Sequence, residues 1–211
     1  MSTNSKNKPT LLVELIPSTA HYSNVRTMLK PSEWDKLRKE SYALANHKCE
    51  ICGDNGKNQR YKHPVECHEI WEYDDEKHIQ KLIGLISLCP LCHLTKHIGR
   101  AMAIGNEKIC YIQLIKVNKW SQEQVMKHIR AAFELNKERS KHQWTLDISL
   151  LVNEPYNLKI DLEKERVFKI KTFKKKPKKK SPNAPKKIHP KAKIAAALKP
   201  KSIGNKKPPK K

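Results

Sequence analysis

Apolar and polar positions change rhythm several times along the chain, and each change marks an element. Residues 1–10 are almost wholly polar, and LLVELI (11–16) is a short apolar run with a Glu inside it. PSEWDKLRKESYALANHKC predicts a helix from near Pro31, where proline suits the first turn, with Trp34, Leu37, Tyr42 and Leu44 as its buried face and Asn46 as its stop. Gly53 to Lys62 is polar and turn-rich, PVECHEIW reads as a strand, and EYDDEK as an acidic loop. KLIGLISLC is a second apolar stretch, and Pro90 to about Ala103 suits a helix. Ser121 and Gln124 have the spacing of a capping box. Val125, Ile129, Ala132 and Phe133 follow at helical intervals, predicting an amphipathic helix over 122–139. WTLDISLL (144–151) is compact and apolar enough to pack back onto the domain, and there is no internal repeat.

Charge then divides the chain. The formal net charge is +23, but residues 169–211 hold 18 Lys and no acidic residue, leaving +5 for the rest. The first part therefore resembles an ordinary soluble domain carrying a polycationic tail. From Phe173 onward the composition is Lys, Pro, Ala and little else, too poor in apolar surface to offset chain entropy, so disorder is expected. The expected organisation is a flexible N-terminus (1–19), a domain over 20–152 with its core at 45–103, a connecting segment (153–172) and a disordered basic tail (173–211). No apolar run approaches the ~18 residues that span a bilayer, and LLVELI behind a polar leader does not resemble a secretory segment. No membrane association and a reducing, cytoplasmic setting are expected, where disulfides do not persist.

The cysteines sharpen this picture. Cys49/Cys52 and Cys89/Cys92 form two C-x-x-C pairs separated by 36 residues. Each pair supplies two adjacent corners of a tetrahedron through a tight turn, and a set of four thiolates suits structural Zn2+. Cys67 and Cys110 remain as buried thiols. Between the pairs, His68 and Glu69 are adjacent on the predicted strand and so point to opposite faces. His93 and His97, spaced i, i+4, share one helix face. Cysteines holding that helix against the strand would bring His68 to face His93 across a narrow gap. Trp71 reads as core, Asp74 and Asp75 as a solvated loop, and His47 and His63 carry no assignment.

C-x-x-C, a strand bearing His68, and C-x-x-C-H opening a helix together resemble an HNH endonuclease domain. YSNVR (22–26), WDKLR (34–38), CEICG, ECHEIWEYDD, GLISLCPLCHLTKHIG and WTLDISLL extend the resemblance over residues 20–152, to a group of uncharacterised bacterial and phage HNH proteins. The resemblance implies a small α+β, treble-clef-like ββα-metal fold, stabilised by zinc, with flanking helices. It implies one catalytic divalent ion (Mg2+, Mn2+, Ni2+ or Zn2+) and phosphodiester hydrolysis. His68 would be the general base, Glu69 a metal or water partner, His93 a metal ligand and His97 a second one. If His68 takes the metal-binding place instead, Glu69 falls in the base position. The family's middle Asn is missing: Gly84 stands there.

The tail offers charge without stacking, since no aromatic residue follows Phe173. Lys174, Lys175, Lys176, Lys178, Lys179 and Lys180 form its densest cluster, suited to phosphates through counterion release and without sequence choice. That string also has the form of a nuclear import signal, which any Lys/Pro-rich tail generates. The leading expectation is an HNH endonuclease tethered to DNA by its tail, with no small-molecule cofactor. The alternatives are a noncatalytic zinc-knuckle module binding DNA or RNA, and a toxin or scaffold whose zinc domain binds protein.

Overall fold

A computed structural model describes residues 11–21, 23–153 and 155–159. The tail, with its lysine cluster, lies outside the described residues. The rest is a small mixed α+β arrangement. A short helix α1 (Val25–Met28) and a longer α2 (Pro31–Leu44) precede a hairpin of β1 (Glu66–Asp74) and β2 (Ile79–Leu88). Four helices follow: α3 (Pro90–Lys96), α4 (Ile98–Ala103), α5 (Glu107–Asn118) and α6 (Gln122–Arg139). A short β3 (Thr145–Asp147) then returns to the sheet, lying parallel to β2 and completing the order β1-β2-β3.

Local chemistry explains most boundaries. Pro31 occupies the first turn of α2, and the Glu33 carboxylate accepts from the Lys30 amide at 3.0 Å. Ser121 accepts from the Gln124 amide at 3.2 Å while Gln124 returns the bond at 2.8 Å, the reciprocal cap expected for α6. In the hairpin, His68 pairs with Ile86 and Glu69 with Leu85. Between Ile70 and Trp71 the register slips: Ile70 faces Gly84 but Trp71 faces Leu82, so Ile83 is the extra residue of a bulge. A Cβ on Gly84 would meet only the Ile70 Cδ1 at 3.5 Å, an ordinary contact, so nothing steric demands glycine there. Gly56 is different. A Cβ there would lie 2.1 Å from the His63 carbonyl oxygen and 2.9 Å from the Pro90 ring, so only glycine lets the loop close on the start of α3.

Two apolar cores form. One gathers Leu11, Val13, Leu88, Ile98, Leu114, Val125 and Ile129 around the cysteines. The other packs Val25, Leu29 and Leu37 against Leu82, Ile148 and Leu151. WTLDISLL thus packs back as expected, and its Trp144 stands edge-on to Tyr73 with ring centres 5.0 Å apart.

Several expectations are corrected. Flexible chain was expected through residue 19, yet Leu11 and Val13 are buried and the Glu14 amide donates to the Lys96 carbonyl at 2.9 Å. Leu44 is 85 % exposed: the last turn of α2 meets the sheet through Ser41, whose hydroxyl lies 2.8 Å from that of Ser87, and through Tyr42, whose hydroxyl accepts from the Cys67 amide at 3.4 Å, while Leu44 faces solvent. Phe133 lies at the exposed edge of α6, whose inward positions are Val125 and Ile129. The helix expected from Pro90 to Ala103 is two helices broken at His97, whose backbone (φ −92°, ψ 50°) leaves the helical region. Cys67 is only half-buried, and Asp75 is held by Arg139 in a two-pronged ion pair with both bonds at 2.7 Å.

Candidate metal centres

The two cysteine pairs meet as the sequence indicates. Cys49, Cys89 and Cys92 are buried, Cys52 is half-buried, and their four sulfurs lie within 4.8 Å of one another. Cys89 precedes the first residue of α3, and its sulfur accepts from the Cys92 amide at 3.5 Å. The Gln113 side chain of α5 donates to the Cys92 sulfur at 3.2 Å. The four thiols share hydrogen bonds, which drive Cys49 toward thiolate and push Cys52 and Cys92 up, so the site as a set must shed protons to take an ion. Thiolates and donors to sulfur are what a structural Zn2+ site uses, and four protein ligands close it.

A second group stands one helical turn away. His68 on β1, His93 within α3 and His97 at its end place their ligand nitrogens within 4.8 Å of one another. Ring centres lie 5.2 Å apart for His68 and His93, 5.0 Å for His68 and His97, and 4.8 Å for His93 and His97, with the planes steeply inclined. Three imidazoles around one ion at about 2.0–2.1 Å per bond place their ring centres about 5 Å apart, so the spacing fits a shared ion. Burial pushes the His97 pKa down to about 3, with His93 and His68 adding to the effect. Burial also lowers that of His68, with its Glu14 hydrogen bond opposing. Neutral imidazole is the form that binds metal.

Carboxylates surround the cluster. Glu14 contacts two neighbours: its Oε2 lies 3.0 Å from His68 Nε2, and its Oε1 pairs with Lys96 Nζ. Burial opposes charge on Glu14, but His68 and Lys96 outweigh it and hold the pKa at about 2. Glu66 bonds His93 Nδ1 and lies 2.8 Å from His63 Nε2. Against its burial, these partners hold it at about 2 as well. Glu69, next to His68 on β1, accepts from the Val25 amide at 2.9 Å. Burial raises its pKa. A cavity of about 140 Å³ opens beside the cluster, lined by Glu14, His68, Glu69 and His97 together with Trp71, Tyr73 and Arg139. Among the described residues, the buried Trp71 Nε1 and Tyr73 Oη have no hydrogen-bond partner.

Sequence reasoning therefore located His68, His93 and His97 but missed Glu14, Glu66 and Lys96. Lys96 reads as a surface residue in the sequence, yet it is 5 % exposed. The single available signal was the lone Glu interrupting LLVELI, where Leu11 and Val13 alternate into the core and Glu14 turns the other way.

The fold and its two donor groups define a small α+β protein equipped to hold metal ions, one group of four cysteines and one of three histidines, both consistent with zinc. No known family model, no curated protein and no solved structure matches the chain. No helix among the described residues is long and apolar enough to cross a membrane.

Proposed function

We propose that the chain is a metal-dependent endonuclease of the HNH type that hydrolyses phosphodiester bonds in DNA, its tail serving as a nonspecific tether. The observation that carries this reading is the convergence of His68, His93 and His97 where a β-hairpin meets the helix that follows it. Strand, strand, helix around one ion is the order of a ββα-metal unit. The cysteine group fastens the start of α3, so the zinc knuckle aims His93 and His97 at β1.

The geometry favours His68 as a third metal ligand over His68 as base. Three protein ligands leave a coordination position open, the arrangement of catalytic rather than structural sites. An all-imidazole set also favours Zn2+ or Ni2+ over Mg2+ or Mn2+, which prefer oxygen ligands. When bound, the ion would polarise a phosphoryl oxygen and acidify a coordinated water. Glu69 then holds the base position. It lines the same cavity as His68 and His97, and burial raises its pKa toward the range useful for proton transfer. Arg139 also stands on the cavity wall, its guanidinium paired with Asp75.

Supercoiled plasmid incubated with the full chain and Zn2+, Ni2+, Mn2+ or Mg2+ tests the proposal. Nicking is expected, abolished by His68→Ala and reduced roughly 10²–10⁴-fold by Glu69→Gln. Binding without cleavage under every ion would instead favour the noncatalytic zinc-knuckle reading, to which the absent Asn at Gly84 points.

A further inference from the structure

We infer that Glu14 and Glu66 are positioning residues that assign the ring nitrogens of the histidine centre, so that the ion is bound through Nδ1 of His68 and Nε2 of His93. The inference rests on the three-histidine reading of the centre and not on the nuclease reaction.

The argument is one of donors and acceptors. An ionised carboxylate has only lone pairs to offer, so a ring nitrogen bonded to it must carry the proton. Glu14 meets Nε2 of His68 at 3.0 Å. That nitrogen is therefore the donor, and the lone pair of His68 lies at Nδ1. Glu66 meets Nδ1 of His93, which fixes the opposite tautomer and leaves Nε2 of His93 for the ion. Each imidazole is thus held from behind by a carboxylate, the arrangement that orients histidine ligands and raises their basicity.

The two carboxylates are themselves anchored differently. Lys96 is 5 % exposed and its ammonium pairs with the second oxygen of Glu14. That ion pair fixes the carboxylate and joins residue 14 to α3, the helix that carries His93. The Glu14 amide donates to the Lys96 carbonyl at 2.9 Å, so backbone and side chain grip the same residue. The extended segment from Leu11 is held further by Asn118, whose side chain bonds the Leu11 amide at 3.0 Å and carbonyl at 2.7 Å. Residues 11–16 thus form a strap that delivers one carboxylate to the centre from outside the hairpin and helix. Glu66 needs no such strap, because it stands two residues before His68 on β1 and shares its second oxygen with His63 at 2.8 Å.

Two readouts test this on the full chain with zinc in the cysteine group. Long-range ¹⁵N–¹H NMR on the histidine rings, without a second ion, is expected to show His68 protonated at Nε2 and His93 at Nδ1. Glu66→Gln should lose the bias at His93 alone, and Glu14→Gln the bias at His68 alone. The second readout is Co2+ binding followed by visible absorption: each variant should bind the ion roughly 10–100-fold more weakly, the usual consequence of losing a carboxylate behind a histidine ligand. Should Glu14→Gln misfold around the stranded Lys96, the double variant Glu14→Gln/Lys96→Met removes the buried ammonium, and Glu66→Gln, whose partners are the imidazoles of His63 and His93, strands no ammonium and stands alone. The reverse tautomer at either ring, or Co2+ affinity unchanged in both variants, overturns the inference. Failure of the unaltered chain to bind Co2+, with the tautomers as stated, would instead overturn the three-histidine reading while sustaining the carboxylate assignment.

Discussion

The cysteine group and the histidine group share α3 yet differ in almost every physical respect. Cys89 and Cys92 sit at its start with 0 % exposure, inside a core built from Leu88, Ile98 and Leu114. Four soft ligands with no open position suit a closed zinc site of the kind that holds chain together. His93 follows Cys92 within the helix and has the Glu66 carboxylate behind it, while His97 at the helix end lines a cavity together with His68, which Glu14 backs. Consecutive residues of one helix, Cys92 and His93, belong to a joint and to a candidate reaction centre. The difference teaches that apolar packing around the first makes the polar, partly solvated second possible, because the ligands of the second are aimed by the first.

The largest effect should come from the joint. Cys89→Ser is expected to lose the tightly held zinc and with it cooperative folding, since structural zinc sites contribute binding free energies of about 10–16 kcal/mol that are realised only on folding. Circular dichroism on heating, with zinc content measured in parallel, checks this; a variant that melts like the unaltered chain contradicts it. His93→Ala should behave in the opposite way. Its side chain is partly exposed and belongs to no core cluster, so the fold and the cysteine-bound zinc should survive while the second ion and plasmid nicking are lost. Should His93→Ala unfold the chain as Cys89→Ser does, the distinction between joint and centre fails.

An intermediate effect is expected from pH in protein whose histidine centre is empty. His97 titrates at about 3 when folded, against 6.5 in the unfolded chain, so the unfolded state takes up the proton first as pH falls. Stability should therefore be full above about 6.5 and decline toward pH 3 by about 1.4 kcal/mol per unit from this group. His68, also lowered, acts in the same direction. Glu14 and Glu66, at about 2 folded against 4.5 unfolded, should add a further loss only between about pH 4.5 and 2. Urea midpoints from about pH 7.5 to about pH 5 read the histidines before these carboxylates enter, with His128 adding to the slope because burial lowers it too, and Zn2+ at the centre should remove the centre's share because the ion competes with the proton. A flat curve without added metal would contradict neutral, buried imidazoles.

The smallest structural effect belongs to the tail. Replacing Lys174, Lys175, Lys176, Lys178, Lys179 and Lys180 with Ala should leave the melting temperature unchanged. It should weaken DNA binding and lower the salt slope by up to about 0.9 for each phosphate no longer neutralised. Affinity and slope identical to the unaltered chain would remove the tether.

Much of this was legible because the signals are local. The C-x-x-C pairs, the Ser121/Gln124 cap and the i, i+4 spacing of His93 and His97 each lie within a few residues, and each predicts its own geometry. α6 follows from period and capping alone, whereas the hairpin was half legible: PVECHEIW reads as a strand and KLIGLISLC only as an apolar stretch, and β1 runs on to Asp74 through part of the expected acidic loop. α5 was not legible because Ile109, Cys110, Ile112, Leu114, Ile115 and Val117 are spread around the helix instead of along one stripe. β3 needed a parallel pairing with β2 across a long stretch of intervening chain. Glu14 was illegible for the same reason: its partners are His68 and Lys96, 54 and 82 residues away, and only tertiary packing brings them together. Glu66 lay in plain view on the predicted strand, but nothing local says that its carboxylate, and not that of Glu69, turns toward His93.

X-ray absorption at the zinc edge on the full chain, loaded with one and then two equivalents of Zn2+, tests the central claim most directly. The first equivalent should show sulfur neighbours near about 2.3 Å, and the second should add nitrogen or oxygen neighbours near about 2.0–2.1 Å. In His93→Ala the sulfur shell should remain and the added nitrogen or oxygen shell should vanish. A second equivalent that stays in solution, or that also enters a sulfur environment, would contradict an open histidine centre beside the closed cysteine site.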